Sequence, residues 1–259
     1  MPARESEALV LRTYPFQEAD LVVSFVARDQ GKLRGVARGA RRLKSRFGAG
    51  LERLAHVRMF YFQRENRELV NLDSCELIDS QFGVLADYSL GVALDFLAEV
   101  SEQLLPEHEP NDRYFRLLLL ALDHIREARP GEAERAGAPA QLWPALTYFS
   151  LWAVKLGGWL PDLSACVHCG VEMPPAERAF FTRAQPGLTC ERCRPANAWA
   201  LSAESRAIAE EMLHTSLRKM PPRQWDRHAA ADLRQFLWQR LEEHLERKLV
   251  TVPMLAELE

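Results

Sequence analysis

Leu21-Val22-Val23-Ser24-Phe25-Val26-Ala27-Arg28-Asp29-Gln30-Gly31-Lys32-Leu33-Arg34-Gly35-Val36-Ala37-Arg38 decides the fold of the N-terminal region. Two runs rich in Val, Leu and Phe flank Asp29-Gln30-Gly31, a hairpin turn with glycine where the chain must reverse. Strands are therefore expected over 21–28 and 32–38. Working outward, Glu7 to Thr13 reads as a strand before them. His56 to Gln63 and Glu68 to Ile78 read as two more around the polar turn Arg64-Glu65-Asn66-Arg67. Five strands with a longer connection between the third and fourth suit a small closed barrel of the OB type, with an SH3-like barrel as the rival.

After Ser80 the period becomes helical. Tyr88 to Leu105 ends at Pro106, Asn111-Asp112 can cap a helix to about Ala128, and an apolar helix over 141–156 stops at Gly157-Gly158. Arg129 to Pro139 reads as an exposed loop. Ser202 can cap a helix to about Leu217, and a last helix is expected from Trp225 to Leu249, with Leu233, Phe236, Leu237, Leu241, Leu245 and Leu249 as its apolar stripe. The expected class is α+β: an OB-fold barrel over residues 1–80, then an α-helical domain over 81–259 with a cysteine module at about 161–200.

That module is Cys166-Val167-His168-Cys169-Gly170 and Cys190-Glu191-Arg192-Cys193. Two thiolates three residues apart grip one ion from a tight turn, and two such turns complete a tetrahedral set. One structural Zn2+ is favoured over a redox dithiol, two disulfides or idle cysteines, because four thiolates leave no open position for catalysis. Cys75 stands apart as an expected buried free thiol, and His168 is expected to face solvent.

Net charge is only −3, yet the distribution points to a polyanion. From Arg28 to Arg46 the cations Arg28, Lys32, Arg34, Arg38, Arg41, Arg42, Lys44 and Arg46 face the single acid Asp29. The local field, more than net charge, draws in a phosphate backbone. Along a strand Lys32, Arg34 and Arg38 share one face. Gly35 and Gly39 are expected to let a nucleic-acid backbone approach, and Arg41 to Arg46 to continue as a flexible basic loop. Aromatics able to stack on bases are available in Tyr14, Phe16, Phe25, Phe47, Phe60, Tyr61 and Phe62, most of them expected in the core.

Composition, with 47% hydrophobic and 27% charged residues, is that of an ordinary globular protein. The mixed-charge start Met1-Pro2-Ala3-Arg4-Glu5 lacks the apolar run of a secretory signal, and no stretch approaches a membrane span of roughly 20 residues, so a cytoplasmic protein is expected. No phosphate-binding loop, dinucleotide fingerprint, zinc-protease helix or nucleophile elbow is present, which argues against an enzyme. An RNA- or tRNA-binding barrel protein with a structural zinc site is the alternative to a DNA-binding one. A metal-dependent nuclease lacks the open metal position it would need.

Taken together, several stretches make the chain resemble the bacterial RecO family of recombination mediators. They are Ala8-Leu9-Val10-Leu11-Arg12-Thr13, Glu18-Ala19-Asp20, Gly31-Lys32-Leu33, Val36-Ala37-Arg38-Gly39-Ala40-Arg41-Arg42 and Lys44-Ser45-Arg46. Leu156-Gly157, Pro161-Asp162-Leu163 and Cys166-x2-Cys169-Gly170 extend the likeness along the chain. The resemblance implies an OB-fold, a helical domain and an embedded zinc module. It also implies binding of single- and double-stranded DNA, annealing of complementary strands, and assistance to RecA loading, with RecR, on DNA coated by single-stranded DNA-binding protein (SSB). Carried onto this chain, DNA contact falls to Lys32, Arg34, Arg38, Arg41, Arg42, Lys44 and Arg46, and metal ligation to Cys166, Cys169, Cys190 and Cys193. Recognition of the SSB tail would require a cation beside an apolar groove, for which Arg113, Arg116 and Arg126 are candidates. The ending Glu246-Arg247-Lys248-Leu249-Val250-Thr251 departs from the Gly-Arg-x-Leu-Lys-Ser type common in that family.

Overall fold

In the computed structural model, residues 3–63, 68–127, 142–221, 223, 225 and 228–258 are described. The expected turn 64–67 and loop 129–139 lie outside them. Five strands, β1 (Ala3–Phe16), β2 (Asp20–Ala27), β3 (Gly31–Ala37), β4 (His56–Phe62) and β5 (Leu69–Asp79), close into a barrel in the order β1-β2-β3-β5-β4. Neighbours are antiparallel except β3 and β5, which run parallel from Arg34 opposite Leu69 to Ala37 opposite Leu72. That order is the OB arrangement, and it removes free sheet edges.

The barrel closes because one side of each strand is apolar. Val10, Val23, Phe25, Leu33, Val57, Met59, Tyr61, Val70 and Leu72 fill the interior. Burying a side chain such as Phe25 contributes about 1.5–3 kcal/mol. Gly35 belongs to this interior: a Cβ there would stand 2.7 Å from the Leu72 side chain and 2.8 Å from that of Val70. The glycine admits barrel packing and not a nucleic-acid backbone, which corrects the sequence reading. β1 is longer than expected at both ends, since Ala3 to Glu7 pair with β4 and Thr13 to Phe16 with β2. A bulge between Val10 and Arg12 re-aims the strand where it changes partners.

α1 (Tyr88–Leu104) starts where the Asp87 carboxylate accepts from Leu90 N, and α2 (Asp112–Glu127) where Asn111 Oδ1 accepts from Tyr114 N. α3 (Leu142–Leu156) is buried on nearly every side, as its apolar sequence requires, and ends at Gly157-Gly158 with Gly158 at φ +79°. β6 (Ala179–Phe181) and β7 (Trp199–Leu201) form a two-stranded ribbon in the cysteine module. α4 (Ala203–His214) is capped by Ser202 as expected. The long final helix is instead α5 (Ala231–His244) and α6 (Thr251–Ala256). Ala230 at φ +56° and Glu246 at φ +53° lie outside helical backbone and bound α5.

The chain divides into two compact units, Met1–Arg116 and Leu117–Glu259. The first holds the barrel, α1 and the opening of α2. The second holds the remaining helices and the cysteine module.

Candidate nucleic-acid interface and metal centre

The cationic segment divides into two parts with different environments. At its start, loop residues after α1 cover the β3 backbone: His108 N donates to Lys32 O at 3.0 Å, and a Cβ on Gly31, itself at φ +75°, would meet the Glu109 carbonyl. Lys32 is buried and its Nζ donates to Glu102 O at 2.6 Å. Burial pulls its pKa below the ordinary lysine value, against the opposing pull of Glu102 and Glu107. Arg34 is exposed but sits 3.6 Å from a Glu102 oxygen and 3.3 Å from one of Glu107. Lys32 and Arg34 lie on β3, where α1 and its following loop occupy their charges, and Arg38 follows the end of the strand.

The second part is turned to solvent. Arg38, Arg41, Arg42, Lys44 and Arg46 are all exposed. The segment expected as a loop has a hydrogen-bonded backbone. It folds as successive turns: Gly39 N donates to the Asp20 carboxylate at 2.7 Å, Arg41 N to Ala19 O at 3.0 Å, Arg42 N to Gly39 O at 3.1 Å and Ser45 N to Arg42 O at 3.0 Å. Gly39 supplies the left-handed backbone (φ +66°) the first turn needs. Phe47, buried in the barrel, anchors the far end. Arg46 pairs with Asp73 at 2.8 Å. Among the described residues no ion pair engages Arg38, Arg41, Arg42 or Lys44. Leu43 stands fully exposed at the tip among them, a feature the sequence reading passed over.

Of the barrel aromatics, Phe25, Phe47 and Tyr61 are core, Phe60 and Phe62 are half-buried, and Tyr14 and Phe16 are exposed.

In the second unit the four cysteines converge. The Sγ atoms of Cys166, Cys169, Cys190 and Cys193 all lie within 4.8 Å of one another, and those of Cys169 and Cys190 are 3.8 Å apart. Zinc–sulfur bonds of about 2.3 Å place the corners of a tetrahedron about 3.8 Å apart, so the set fits a four-thiolate ion site. Each knuckle is a tight turn: Gly170 N donates to Cys166 O at 2.9 Å, with Gly170 at φ +70°, and Cys193 N to Cys190 O at 3.1 Å. Although burial raises it, the Cys166 thiol is brought down to about 6 by N–H groups of Cys190, Cys169 and His168 aimed at its sulfur. The Cys193 thiol is pushed the other way, up to about 12, chiefly by its hydrogen bond with Cys169, so the four sulfurs share protons as one set.

The support of this module comes from a residue the sequence reading did not single out. Arg206, buried on α4, donates to Leu163 O (3.1 Å), Met173 O (3.0 Å), Pro174 O (2.9 Å) and Glu177 O (2.7 Å). Those carbonyls bracket the first knuckle. The arginine fork thus fixes the loop that carries Cys166 and Cys169. An arginine within an ordinary helix leaves no signal of this in sequence.

His168 is exposed, as expected. Cys75 is half-buried, and burial pushes its thiol up to about 11, which leaves it unreactive at neutral pH. Arg116 pairs with Asp112 at 2.9 Å, and Arg126 pairs with Asp123. No described helix is long and apolar enough to cross a membrane.

A closed OB-type barrel carrying a cationic turn region, followed by a helical unit with a four-cysteine cluster, defines the architecture. Comparison with known proteins places it. Family models described as Recombination protein O N terminal and Recombination protein O C terminal match residues 1–81 and 85–252. The chain is 46% identical to DNA repair protein RecO of Koribacter versatilis over 99% of both chains. It is 31% identical to DNA repair protein RecO of an Anaeromyxobacter species over 96% of this chain and 94% of the relative. With that protein of Cutibacterium acnes it shares 34% identity over 75% and 76%. The chain belongs to the RecO family.

Proposed function

We propose that this chain is a non-catalytic DNA-binding recombination mediator that acts in DNA repair in the cytoplasm, at the nucleoid. It binds single- and double-stranded DNA and anneals complementary strands. With RecR it assists RecA loading on SSB-coated DNA, in part by recognising the SSB tail. One observation carries the reading: the ordered, solvent-facing cations Arg38, Arg41, Arg42 and Lys44, with no carboxylate pairing them among the described residues. Such a surface neutralises phosphates, releases counterions and leaves base edges free to pair. Annealing needs nothing more and consumes no nucleotide. Arg46, already paired with Asp73, contributes more weakly, and Lys32 and Arg34 serve chiefly to fasten α1 to the barrel.

The four cysteines hold one structural Zn2+ in this account. A full thiolate set has no vacant position for water or substrate, so the ion stabilises the fold of the second unit and performs no chemistry. The relatives' name, DNA repair protein RecO, supports the setting in repair.

The test is annealing of complementary oligonucleotides, bare and SSB-coated, without ATP. The reading expects acceleration on both. It also expects loss of that acceleration in the charge-reversed protein R38E/R41E/R42E/K44E, with its fold checked by circular dichroism. Unchanged annealing by that protein would overturn it, and preference for RNA over single-stranded DNA at matched salt would move the chain to a different substrate.

A further inference from the structure

Between the barrel and α1 the chain turns apolar side chains outward. Leu77 and Ile78 near the end of β5, then Phe82, Leu85 and Tyr88, are all exposed, Phe82 at 72% and Tyr88 at 64%. The connector that carries them is hydrogen-bonded. Val84 N donates to Gln81 O at 2.9 Å, Leu85 N to Phe82 O at 3.3 Å and Asp87 N to Val84 O at 3.2 Å. Gln81 and Val84 are buried, and Gln81 Nε2 donates to Leu54 O at 3.5 Å. These turns hold Phe82 and Leu85 in water while their neighbours reach inward. Exposed apolar patches with a polar rim mark interaction sites.

The charge of this stretch is of one sign. From Leu69 to Asp112 the chain has ten acids and no lysine or arginine, and Glu76, Asp79 and Asp87 flank or interrupt the apolar run. The cations that reach its acids come from other strands and loops. Arg58 of β4 lies 3.7 Å from Glu76, and Arg46 and Arg53 pair with Asp73 and Asp95. The complement of such a patch is an apolar side chain among cations, and the same barrel carries one. Leu43 stands fully exposed between Arg42 and Lys44, in the turns that also carry Arg38 and Arg41. The two features are neighbours on one unit, because Arg46, at the end of those turns, pairs with Asp73, four residues before Leu77 on β5.

We propose that this face is a contact between two copies of this chain, in which Leu43 and the cations beside it on each copy seat against Leu77, Phe82, Leu85 and Tyr88 of the other. The occupant follows from charge and area. The five partly exposed side chains offer on the order of 500 Å². That is short of the about 800 Å² per partner of a stable interface. Under a two-fold axis each copy contributes both its patch and its turns, which brings the contact to that size. Opposite charges at the rim make such a contact selective and salt-sensitive more than tight. The contact also covers the cations assigned above to DNA, so that a strand and a second copy compete for them. That consequence alone rests on the DNA-binding reading.

The experiment is sedimentation velocity of the full chain without DNA, from about 1 to about 100 μM protein, the range of a weak specific contact. A dimer should grow in with concentration and recede as salt is raised. Leu43→Glu and Phe82→Arg should each weaken dimerisation about 10-fold or more. The double variant L43E/F82R, which sets a carboxylate against a guanidinium across the contact, should recover most of that loss. Both changes are to exposed side chains, and thermal unfolding checks that the barrel is intact. A wild type that stays monomeric throughout would overturn the proposal and leave the patch to a different protein. A dimer indifferent to L43E and F82R would overturn it too, as would a double variant no better than the single ones. In a last arm, excess of a short single-stranded oligonucleotide should turn the wild-type dimer into complexes holding one copy. A dimer that persists with DNA on both copies would overturn the placing of the cationic turns in the contact. Anisotropy reads DNA binding separately, so its failure would remove the DNA-binding reading while the DNA-free runs still decide the dimer.

Discussion

Lys32 Nζ donates to the backbone carbonyl of Glu102 at 2.6 Å, across 70 residues of sequence. A lysine in a run of eight cations thereby becomes a tie between β3 and α1. Lys32→Ala leaves a carbonyl unpaired and removes the packed stem, which should cost about 2 kcal/mol in urea unfolding. Its DNA affinity at matched salt should stay within about 2-fold. Arg41→Ala should do the reverse, with stability unchanged within about 0.5 kcal/mol and DNA affinity lowered.

The proposed zinc predicts an effect of metal removal confined to the second unit. Structural zinc sites owe much of their folding free energy to the ion, which contributes on the order of 10 kcal/mol in isolated fingers. Cys190→Ser should abolish bound zinc, measured by atomic emission. It should also expose amides between Leu163 and Cys193 to hydrogen exchange, while barrel amides keep their protection. Retained zinc with unchanged exchange would contradict the assignment of the ligands.

Arg206 makes a separate prediction, because its guanidinium holds four carbonyls about the first knuckle. Arg206→Ala strands those oxygens in a buried site and should destabilise the second unit by about 3 kcal/mol. Zinc should exchange faster with a chelator in this variant. Arg206→Lys should recover little, since an ammonium cannot span four acceptors with a planar fork.

Acid sensitivity should appear at Glu7, in the barrel unit. Burial raises its carboxyl, but hydrogen bonds from Arg28 (2.9 Å) and His56 (2.8 Å) outweigh that and hold it below the ordinary glutamate value of 4.5. A carboxyl lowered in the folded state stabilises above its unfolded pKa and loses that contribution as pH falls through the folded one. Wild type should therefore exceed Glu7→Gln by about 1 kcal/mol at neutral pH. The two should converge as pH falls through the lowered folded-state pKa of Glu7, as thermal melts across pH would show.

Much of this was legible in the sequence, for definite physical reasons. The β2–β3 hairpin announced itself through Asp29-Gln30-Gly31 between apolar runs, and Ser202 and Asn111 marked helix starts because capping is local chemistry. The cysteine pairs read plainly because tetrahedral ligation dictates their spacing. Long-range contacts were invisible. Nothing near Lys32 in sequence says that Glu102 will cover it, and nothing near Gly35 says that Leu72 and Val70 press against its Cα. The order of the cationic turns was missed for a similar reason, since it depends on Asp20 and Ala19 across the barrel rim. The limits of α5 depend on backbone conformation at Ala230 before it and Glu246 after it, where neither residue is a helix breaker by type.

The most direct test of the central claim is the salt dependence of single-stranded DNA binding, compared between wild type and R38E/R41E/R42E/K44E. If these cations neutralise phosphates, log affinity should fall linearly with log salt, and each contact removed should reduce the slope by about 0.7. The reversed protein should then bind weakly, with a slope lower by about 2.8. Wild-type and reversed proteins that share one slope and one affinity would contradict the claim and return the turn region to a solvated surface.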